Sequence, residues 1–130
     1  MIRPAVISLA TTLAACASLP DEAAPRPIGA TVIASEVGIA SFYCGEFAGR
    51  PTALGPVFNP KAVTAASPML PLGSHARVTN LANGKSEVVA ITDRGPYRAG
   101  RIIDVSCRVA DDLGFRQEGL TRVWVEEIRP

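Results

Sequence analysis

Ala-Ile-Thr-Asp-Arg-Gly-Pro-Tyr, at positions 90–97, places one carboxylate and one guanidinium at the end of an apolar segment. β-Branched residues dominate positions 88–91, which favours a buried strand, and Gly-Pro at 95–96 must end it because proline cannot donate to a ladder. Asp93 is therefore predicted where a strand becomes a loop, a position at which a rigid element fixes a side chain that stays open to ligands. The same residues also allow a purely structural role, in which Asp93 caps its own turn and Arg94 forms a surface ion pair.

A β-hairpin leads into this stretch and is the clearest element of the sequence. Its strands are predicted at 75–80 and 86–92, and Asn83-Gly84 supplies the positive φ that the turn needs. Alternating apolar positions predict further strands at 38–43, 101–105 and 121–128.

Helices are predicted to be short and few. Ser106 suits the N-cap of a helix that runs through Leu113 and stops at Gly114, and the segment Asn59–Val63 is predicted to form one helical turn. Glycine and proline recur between residues 44 and 60, which indicates a long loop of the kind that carries function in small domains. Short strands without a βαβ pattern make this a mainly β domain and favour a small barrel.

The composition describes one domain with little net charge. The 130 residues carry 13 basic and 12 acidic side chains, and the sequence contains no basic patch or stripe. A nucleic-acid partner is therefore not expected, and an uncharged or mixed polymer is the better candidate. Because the sequence shows neither a phosphate-binding loop nor a metal-ligand spacing, no cofactor and no metal are predicted.

The N-terminus is predicted to be an export signal followed by a tether. Residues 1–15 hold one cation and an apolar run too short to span a bilayer, and Leu-Ala-Ala-Cys at 13–16 resembles the lipobox of bacterial lipoproteins. On this interpretation Cys16 is lipidated, residues 16–31 form a flexible proline-rich tether, and residues 32–130 form the barrel domain. An ordinary signal peptide cut after small residues is the alternative, and either version exports the protein.

Two cysteines remain for the exported domain. Cys44 and Cys107 are an even pair in an oxidising compartment, which predicts a disulfide. The bond would close a loop of roughly 60 residues, for which chain entropy gives on the order of 4 kcal/mol of stabilisation. Two free buried thiols are the alternative, and His75 adds no recognised zinc spacing to the pair.

Seven short motifs follow one another through the globular part of the chain. They are Gly-Ile-Ala-Ser-Phe-Tyr at 38–43, Gly-Arg-Pro-Thr-Ala at 49–53, Val-Thr-Ala-Ala at 63–66, Leu-Pro-Leu-Gly at 70–73, Arg-Val-Thr-Asn-Leu-Ala-Asn-Gly at 77–84, Asp-Arg-Gly-Pro-Tyr at 93–97 and Arg-Ile-Ile-Asp-Val-Ser at 101–106. Together, and in this order, they resemble the rare lipoprotein A family.

The resemblance implies a fold, an activity and a location. The implied fold is all-β, a small six-stranded double-psi β-barrel with one or two short helices. The implied protein is a lipoprotein of the bacterial cell envelope that acts on peptidoglycan, since characterised members are endolytic lytic transglycosylases that prefer glycan strands lacking stem peptides. A lipid anchor would hold it at a membrane facing the periplasm, and Ala17 after Cys16 favours the outer membrane.

The chain departs from the family where the resemblance implies catalytic residues. Pro56 occupies the place of a glutamate, Ser67 that of a histidine, and Ala48 that of a second histidine common further upstream. Of the three residues usually given catalytic roles, the chain keeps the aspartate, as Asp93.

Asp93 is therefore the predicted catalytic residue. Lytic cleavage uses the C6 hydroxyl of the muramic acid itself as the attacking group, so one residue can serve as both acid and base. Arg94 is predicted to orient the Asp93 loop or a polar group of the substrate, and Tyr43 and Tyr97 are predicted to offer ring faces to sugars. The alternative is a non-catalytic glycan-binding or wall-loosening module, as in the related expansins.

Other polar and aromatic residues suit structural roles better. Phe58 fits the barrel core more readily than a sugar platform, and His75 is not expected to replace the missing histidine. Asp104 and Glu46 are the remaining carboxylates that could reach the site, although Asp104 is also placed to favour the helix N-terminus that Ser106 caps.

Overall fold

The computed structural model describes residues 31–129. The predicted signal peptide at 1–15, the predicted lipidation site Cys16 and the tether up to residue 30 lie outside the described residues. Thr31, predicted to end the tether, is the first residue of the first strand. No helix within residues 31–129 has the length and apolar character that crossing a membrane requires.

The predicted six-stranded barrel is confirmed. Within the described part of the chain, the strands follow the order β1, β5, β2, β4, β3, β6 around a closed barrel. The β1–β5 and β2–β4 pairs are parallel, and the other four pairs are antiparallel. The strands are β1 (Thr31–Tyr43), β2 (Thr64–Ala66), β3 (His75–Asn80), β4 (Ser86–Asp93), β5 (Arg101–Ser106) and β6 (Thr121–Arg129).

Inward-facing apolar residues hold the barrel together. On β4 and β5 the fully buried apolar residues lie two apart, as a pleated strand with one face in the core requires. Helix α1 (Cys107–Asp112) adds its own apolar face to the same core. The core includes Val89, Ile91, Ile103, Val105, Val109, Leu113, Phe115 and Val123.

The predicted capping of the helix is confirmed. The Ser106 hydroxyl accepts a hydrogen bond from the Val109 amide at 3.4 Å, and Gly114 follows the helix with a φ of 76°. Asn80 and Asn83, from the β3–β4 hairpin, both donate side-chain amides to the Leu113 carbonyl at 2.9 Å. The hairpin is thereby tied to the C-terminal end of the helix.

The prediction of a helical turn at Asn59–Val63 is wrong, because this segment forms a single turn and no helix. Asn59 begins a single hydrogen-bonded turn, because its side chain accepts from the Lys61 amide at 2.9 Å and its carbonyl accepts from the Ala62 amide at 3.0 Å. The chain then extends into β2 at Thr64 rather than continuing as a helix.

The short strand β2 sets the geometry of the site. It lies between β4 and β5, and Ala66 pairs with Asp93 on one side and with Asp104 on the other. The β2–β4 register shifts between Ala65 and Ala66, and Ala66, Asp93 and Asp104 line the same cavity.

The predicted disulfide joins Cys44 to Cys107, with 5.1 Å between the Cα atoms and a sequence separation of 63. Constraining an unfolded loop of this length stabilises the fold by about 4 kcal/mol in the chain-entropy model. The bond also ties the start of the loop at 44–60 to the start of α1.

A buried ion pair connects β3 to β6. Arg77 and Glu126 are register partners, with side-chain exposures of 4% and 0%, and the Arg77 Nε donates to Glu126 Oε1 at 2.9 Å. The guanidinium carbon also lies 5.9 Å from the centre of the Trp124 ring, so the cation is held by both a carboxylate and an aromatic face.

Two carboxyl groups meet where β4 passes the helix. The pKa of Glu87 is raised to about 7 from an ordinary 4.5, first by burial and then by a hydrogen bond with Asp112 and by that carboxylate's charge, while the charge of Arg108 opposes the shift. A raised carboxyl pKa means that the folded state favours the protonated form. The contribution of protonated Glu87 to the stability of the fold is fully present below pH about 4.5 and is lost as the pH rises through about 7.

We therefore expect Glu87→Gln to stabilise the protein above pH about 7 and to change little below pH about 4.5. The measurement is the free energy of unfolding in urea across this interval, with Glu118→Gln, an exposed carboxyl on the loop before β6, as the matched control. Equal pH dependence of stability in the wild type and Glu87→Gln would contradict the assignment.

Candidate active site

A cavity of about 210 Å³ lies against the face of β2 that carries Ala66. The loop at 44–60 forms one wall, and the ends of β4 and β5 form the others. Four charged side chains line it, two acidic and two basic, together with three aromatic rings. The lining residues are Tyr43, Phe47, Arg50, Pro51, Phe58, Ala66, Asp93, Arg94 and Asp104.

Asp93 ends β4 at the mouth of this cavity. Its Oδ1 accepts hydrogen bonds from the Ala53 amide at 3.0 Å and the Arg94 amide at 2.9 Å, and its carbonyl accepts from the Ser67 amide at 3.0 Å. Oδ2 makes no hydrogen bond within the part of the chain that the structure describes. The carboxylate is therefore fixed through one oxygen and open to a ligand through the other.

The tip of the 44–60 loop docks on the end of β4. Besides the Ala53 contact, the Leu54 amide donates to the Thr92 carbonyl at 3.0 Å. Pro56 lies exposed at this tip, outside the cavity lining, and its carbonyl accepts from the amide and hydroxyl of Thr52 at 3.0 and 2.7 Å. The segment in which the resemblance implies a glutamate is thus packed beside Asp93.

Asp104 lines the cavity from the opposite side. Asp104 is on β5 and Asp93 on β4, with the strand β2 between them. Oδ1 of Asp104 accepts from the Ser41 hydroxyl and from the Arg101 guanidinium, the latter at 3.1 Å. These contacts, rather than the N-terminus of the helix, hold the Asp104 side chain.

Tyr43 is packed deeper than a sugar-stacking role requires. Its ring lies 4.4 Å from the Phe58 ring and 5.8 Å from the Phe47 ring, centre to centre. Burial raises the pKa of the Tyr43 hydroxyl well above its usual value, and the charges of Asp93 and Asp104 raise it further.

Tyr43 is therefore a neutral hydroxyl beside both carboxylates. Thr64 and Thr92 are its hydroxyl neighbours and moderate the rise in pKa. None of the three buried hydroxyl oxygens reaches hydrogen-bond geometry with another group of residues 31–129. Of these three residues, Tyr43 lines the cavity.

The Arg94 side chain donates hydrogen bonds to backbone carbonyls of the same chain. Its Nη1 donates to the carbonyls of Ser67 at 3.0 Å and Leu70 at 2.5 Å. The Ser67 hydroxyl in turn accepts from the amides of Met69 and Leu70 at 3.2 and 3.0 Å, which closes the turn at 67–70. Arg94 therefore fastens this turn to the loop that follows Asp93.

Three residues considered in the sequence lie away from the cavity, and for His75 this agrees with the expectation that it takes no part in the site. Tyr97 is 80% exposed on the loop after Asp93, Glu46 is exposed on the 3-10 turn Gly45–Phe47, and His75 is exposed at the start of β3. The cavity brings together Asp93, Arg94 and Tyr43 but not Tyr97. Within residues 31–129, no three His, Cys, Asp or Glu side chains are grouped so that they could hold a metal ion.

Arg50 and Phe58 are cavity residues that the sequence barely indicates. Phe58 is 5% exposed, as expected for a core residue, yet its ring also forms part of the cavity wall. Arg50 belongs to the Gly-Arg-Pro-Thr-Ala motif at 49–53, and its place in that motif is the signal that the sequence offered.

The fold and the cavity define a six-stranded double-psi β-barrel protein with two carboxylates at one site. A family model described as lytic transglycolase matches residues 35–125. The chain therefore belongs to the lytic transglycolase family, in agreement with the resemblance to rare lipoprotein A proteins.

Its relatives carry names consistent with this membership. The probable endolytic peptidoglycan transglycosylase RlpA of Nostoc sp. is 51% identical over 104 residues, which cover 78% of this chain and 28% of that protein. The endolytic peptidoglycan transglycosylase RlpA of Neisseria meningitidis serogroup A is 47% identical over 96 residues, covering 74% and 40%. The match thus spans less than half the length of these curated relatives.

A solved structure shares the fold at low sequence identity. The Streptomyces papain inhibitor superposes with a TM-score of 0.59 at 18% identity, over 76% of this chain and 97% of that one. At this identity the likeness supports the barrel alone.

Proposed function

We propose that this protein cleaves the glycan strands of peptidoglycan as an endolytic lytic transglycosylase. The observation that carries the proposal is the cavity in which Asp93 and Asp104 lie on either side of Ala66, with Oδ2 of Asp93 open to a ligand. The names of the relatives, as peptidoglycan transglycosylases, supply the substrate class.

Asp93 is the acid and the base of the proposed reaction. Protonated Asp93 donates its proton to the glycosidic oxygen as the bond from that oxygen to C1 of the muramyl residue breaks. The C6 hydroxyl oxygen of the same residue then bonds to C1, and its proton returns to Asp93. The product ends in a 1,6-anhydromuramyl ring, and no water is consumed.

The proposed role of Asp104 is to stabilise the charge that develops in the transition state. Positive charge develops at C1 as the glycosidic bond breaks, and a carboxylate held in place stabilises that charge without reorganising. Ser41 and Arg101 hold Asp104 in this position. Arg94 has a positioning role, because its hydrogen bonds to the turn at 67–70 keep the loop after Asp93 in place.

The test is incubation of the purified protein with glycan strands stripped of stem peptides, followed by mass analysis of the products. Shorter strands with anhydromuramyl ends are expected. Intact strands that nevertheless co-sediment with the protein would support the non-catalytic glycan-binding module instead.

We also propose that the protein is a lipoprotein anchored through Cys16 on the periplasmic face of the outer membrane. The support is the Leu-Ala-Ala-Cys sequence at 13–16 and the Ala17 that follows. We expect labelled fatty acid to be incorporated into the wild-type protein in a bacterial host and not into Cys16→Ser. Equal labelling of the two would contradict the assignment, and fractionation of the envelope identifies the membrane.

A further inference from the structure

We infer that the disulfide between Cys44 and Cys107 is a thiol-exchange site, open to small anionic thiols, and that breaking it loosens the loop at 44–60 beside Asp93. This chemistry is independent of strand cleavage and therefore goes beyond the proposed function. Through it, the supply of thiols outside the protein controls one wall of the candidate active site.

The disulfide lies in a second groove of the surface, which shares no lining residue with the cavity that holds Asp93. This groove has a volume of about 440 Å³, and both cysteines line it. Cys44 is partly exposed, whereas Cys107, at the start of α1, is only 7% exposed. A thiol that enters the groove therefore reaches Cys44 more readily than Cys107.

The charges of the groove favour a negatively charged thiol. Its lining carries three cations and two carboxylates, which belong to Lys61, Arg108, Arg116, Asp111 and Asp112. Each arginine forms an ion pair with one of the two aspartates, at 3.6 and 2.9 Å. The Lys61 side chain makes no hydrogen bond or ion pair within residues 31–129. Its ammonium group is therefore the charge that is available to attract an anion into the groove.

The exchange begins with attack of a thiolate on the sulfur of Cys44. A bond forms between the incoming sulfur and Cys44 Sγ, the bond between the two cysteines breaks, and its electron pair leaves with Cys107 Sγ as a thiolate. Arg108, the next residue, lines the same groove, and a nearby cation stabilises a thiolate. A second thiol then releases Cys44. Two thiols are oxidised to a disulfide, and their two protons end on the two reduced cysteines.

The disulfide fastens the first part of the loop at 44–60. The 3-10 turn Gly45–Phe47 directly follows Cys44 and buries none of its residues. The tip of the loop is held by the amides of Ala53 and Leu54, which donate to the end of β4 at 3.0 Å each. Once the covalent tie to α1 is broken, little buried surface holds the turn in place. The contacts of the tip should then open more often, because local opening is easiest where few groups are buried.

The first test measures reduction of the folded protein by two thiols, anionic glutathione and neutral mercaptoethanol. It uses the full chain with Cys16→Ser, which leaves Cys44 and Cys107 as its cysteines. Samples in low salt, where charges are least screened, are quenched with an alkylating agent and mapped by mass spectrometry. We expect a rate that is proportional to thiol concentration and independent of urea below the unfolding transition, with the glutathione adduct on Cys44.

The charge of Lys61 is tested with a matched pair of lysine variants. Lys61→Gln should slow reduction by glutathione about two- to threefold, the effect of one exposed charge, and leave reduction by mercaptoethanol unchanged. Lys85→Gln replaces the other lysine of the chain, which is exposed and lies outside the groove lining, and should change neither rate.

Three results of these measurements would overturn the inference. Reduction that accelerates steeply in low urea would show that thiols attack only unfolded chains. An adduct on Cys107 would place the attack at the wrong sulfur. A Lys61→Gln variant that keeps the wild-type rate with glutathione, or slows equally with both thiols, would show that the groove does not select anions.

The second test follows hydrogen exchange at the Ala53 and Leu54 amides in the oxidised and the reduced protein. Reduction is expected to speed exchange at these two amides more than at the amides that join β3 to β6. An unchanged rate at the loop tip, or an equal loss of protection throughout the barrel, would contradict the coupling of the disulfide to the cavity wall. Strand cleavage enters neither test, so the proposed function stands or falls separately.

Discussion

Asp93→Asn is expected to abolish the formation of anhydromuramyl ends, with a fall in rate of about 10²- to 10⁴-fold. The substituted amide has the shape of the carboxylate and can still accept hydrogen bonds from the Ala53 and Arg94 amides through Oδ1. It cannot donate a proton to the glycosidic oxygen and take one back. The variant should therefore fold normally and bind glycan strands while losing turnover.

The matched control for this variant is Glu46→Gln. Glu46 is an exposed carboxylate on the neighbouring 3-10 turn and does not line the cavity. Its removal should leave the rate of strand cleavage within about twofold of the wild type, as for a surface change of under about 0.5 kcal/mol. Near-wild-type turnover in Asp93→Asn would exclude Asp93 as the acid and base, whatever its place in the cavity.

Removing the carboxylate of Glu126 should cause a large loss of stability. Glu126→Gln takes the Glu126 charge away from the buried Arg77 cation, in a place where neither side chain is more than 4% exposed. Breaking one side of a buried ion pair typically costs about 3–5 kcal/mol, because the remaining charge stays desolvated. We expect a loss of this size in the free energy of unfolding measured in urea.

Two further variants test whether the loss of stability comes from leaving one buried charge without its partner. Asp111→Asn breaks a pair with Arg116 whose side chains are 57% and 44% exposed, and it should cost under about 1 kcal/mol. The double variant Arg77→Met with Glu126→Leu removes both charges and should recover most of the stability, since apolar replacements of buried pairs are often neutral. An effect of Glu126→Gln no larger than that of Asp111→Asn would show that Glu126 contributes little to stability.

Local chemistry in the sequence was enough to predict the elements that carry Asp93. The hairpin of β3 and β4 follows from apolar alternation and a turn with Gly84, whose φ of 77° needs a residue without a Cβ. Ser106 caps α1 as its residue type suggests, and Cys44 bonds to Cys107 as an even pair implies. Each of these depends on neighbours in the sequence or on a simple count.

The features that were not predicted from the sequence depend on partners that are distant in the sequence. β2 has only three residues, two of them alanine, and becomes a strand because β4 and β5 supply its hydrogen bonds on both sides. The pairing that brings Asp93 and Asp104 together is made through β2, so neither the sequence around Asp93 nor that around Asp104 contains it. Glu126 likewise reads as one position of an alternating strand, and only its register with Arg77 explains its full burial.

The different positions of Tyr43 and Tyr97 also follow from the fold and not from the local sequence. Tyr43 and Tyr97 were equally plausible ring faces in the sequence, but Tyr43 ends β1 beneath the 44–60 loop, whereas Tyr97 lies on an exposed loop. The loop that covers Tyr43 is positioned by its contacts with the end of β4. No periodic pattern in residues 44–60 encodes that docking.

Strand cleavage in water enriched in heavy oxygen distinguishes attack by the C6 hydroxyl from attack by water. Two carboxylates that line one cavity could also serve a hydrolase, in which one acts as acid and the other activates water. If Asp93 alone transfers the proton and the C6 hydroxyl attacks, the new ends are anhydromuramyl rings that carry no heavy oxygen. Reducing ends that contain heavy oxygen would show that water attacks, and would contradict the account.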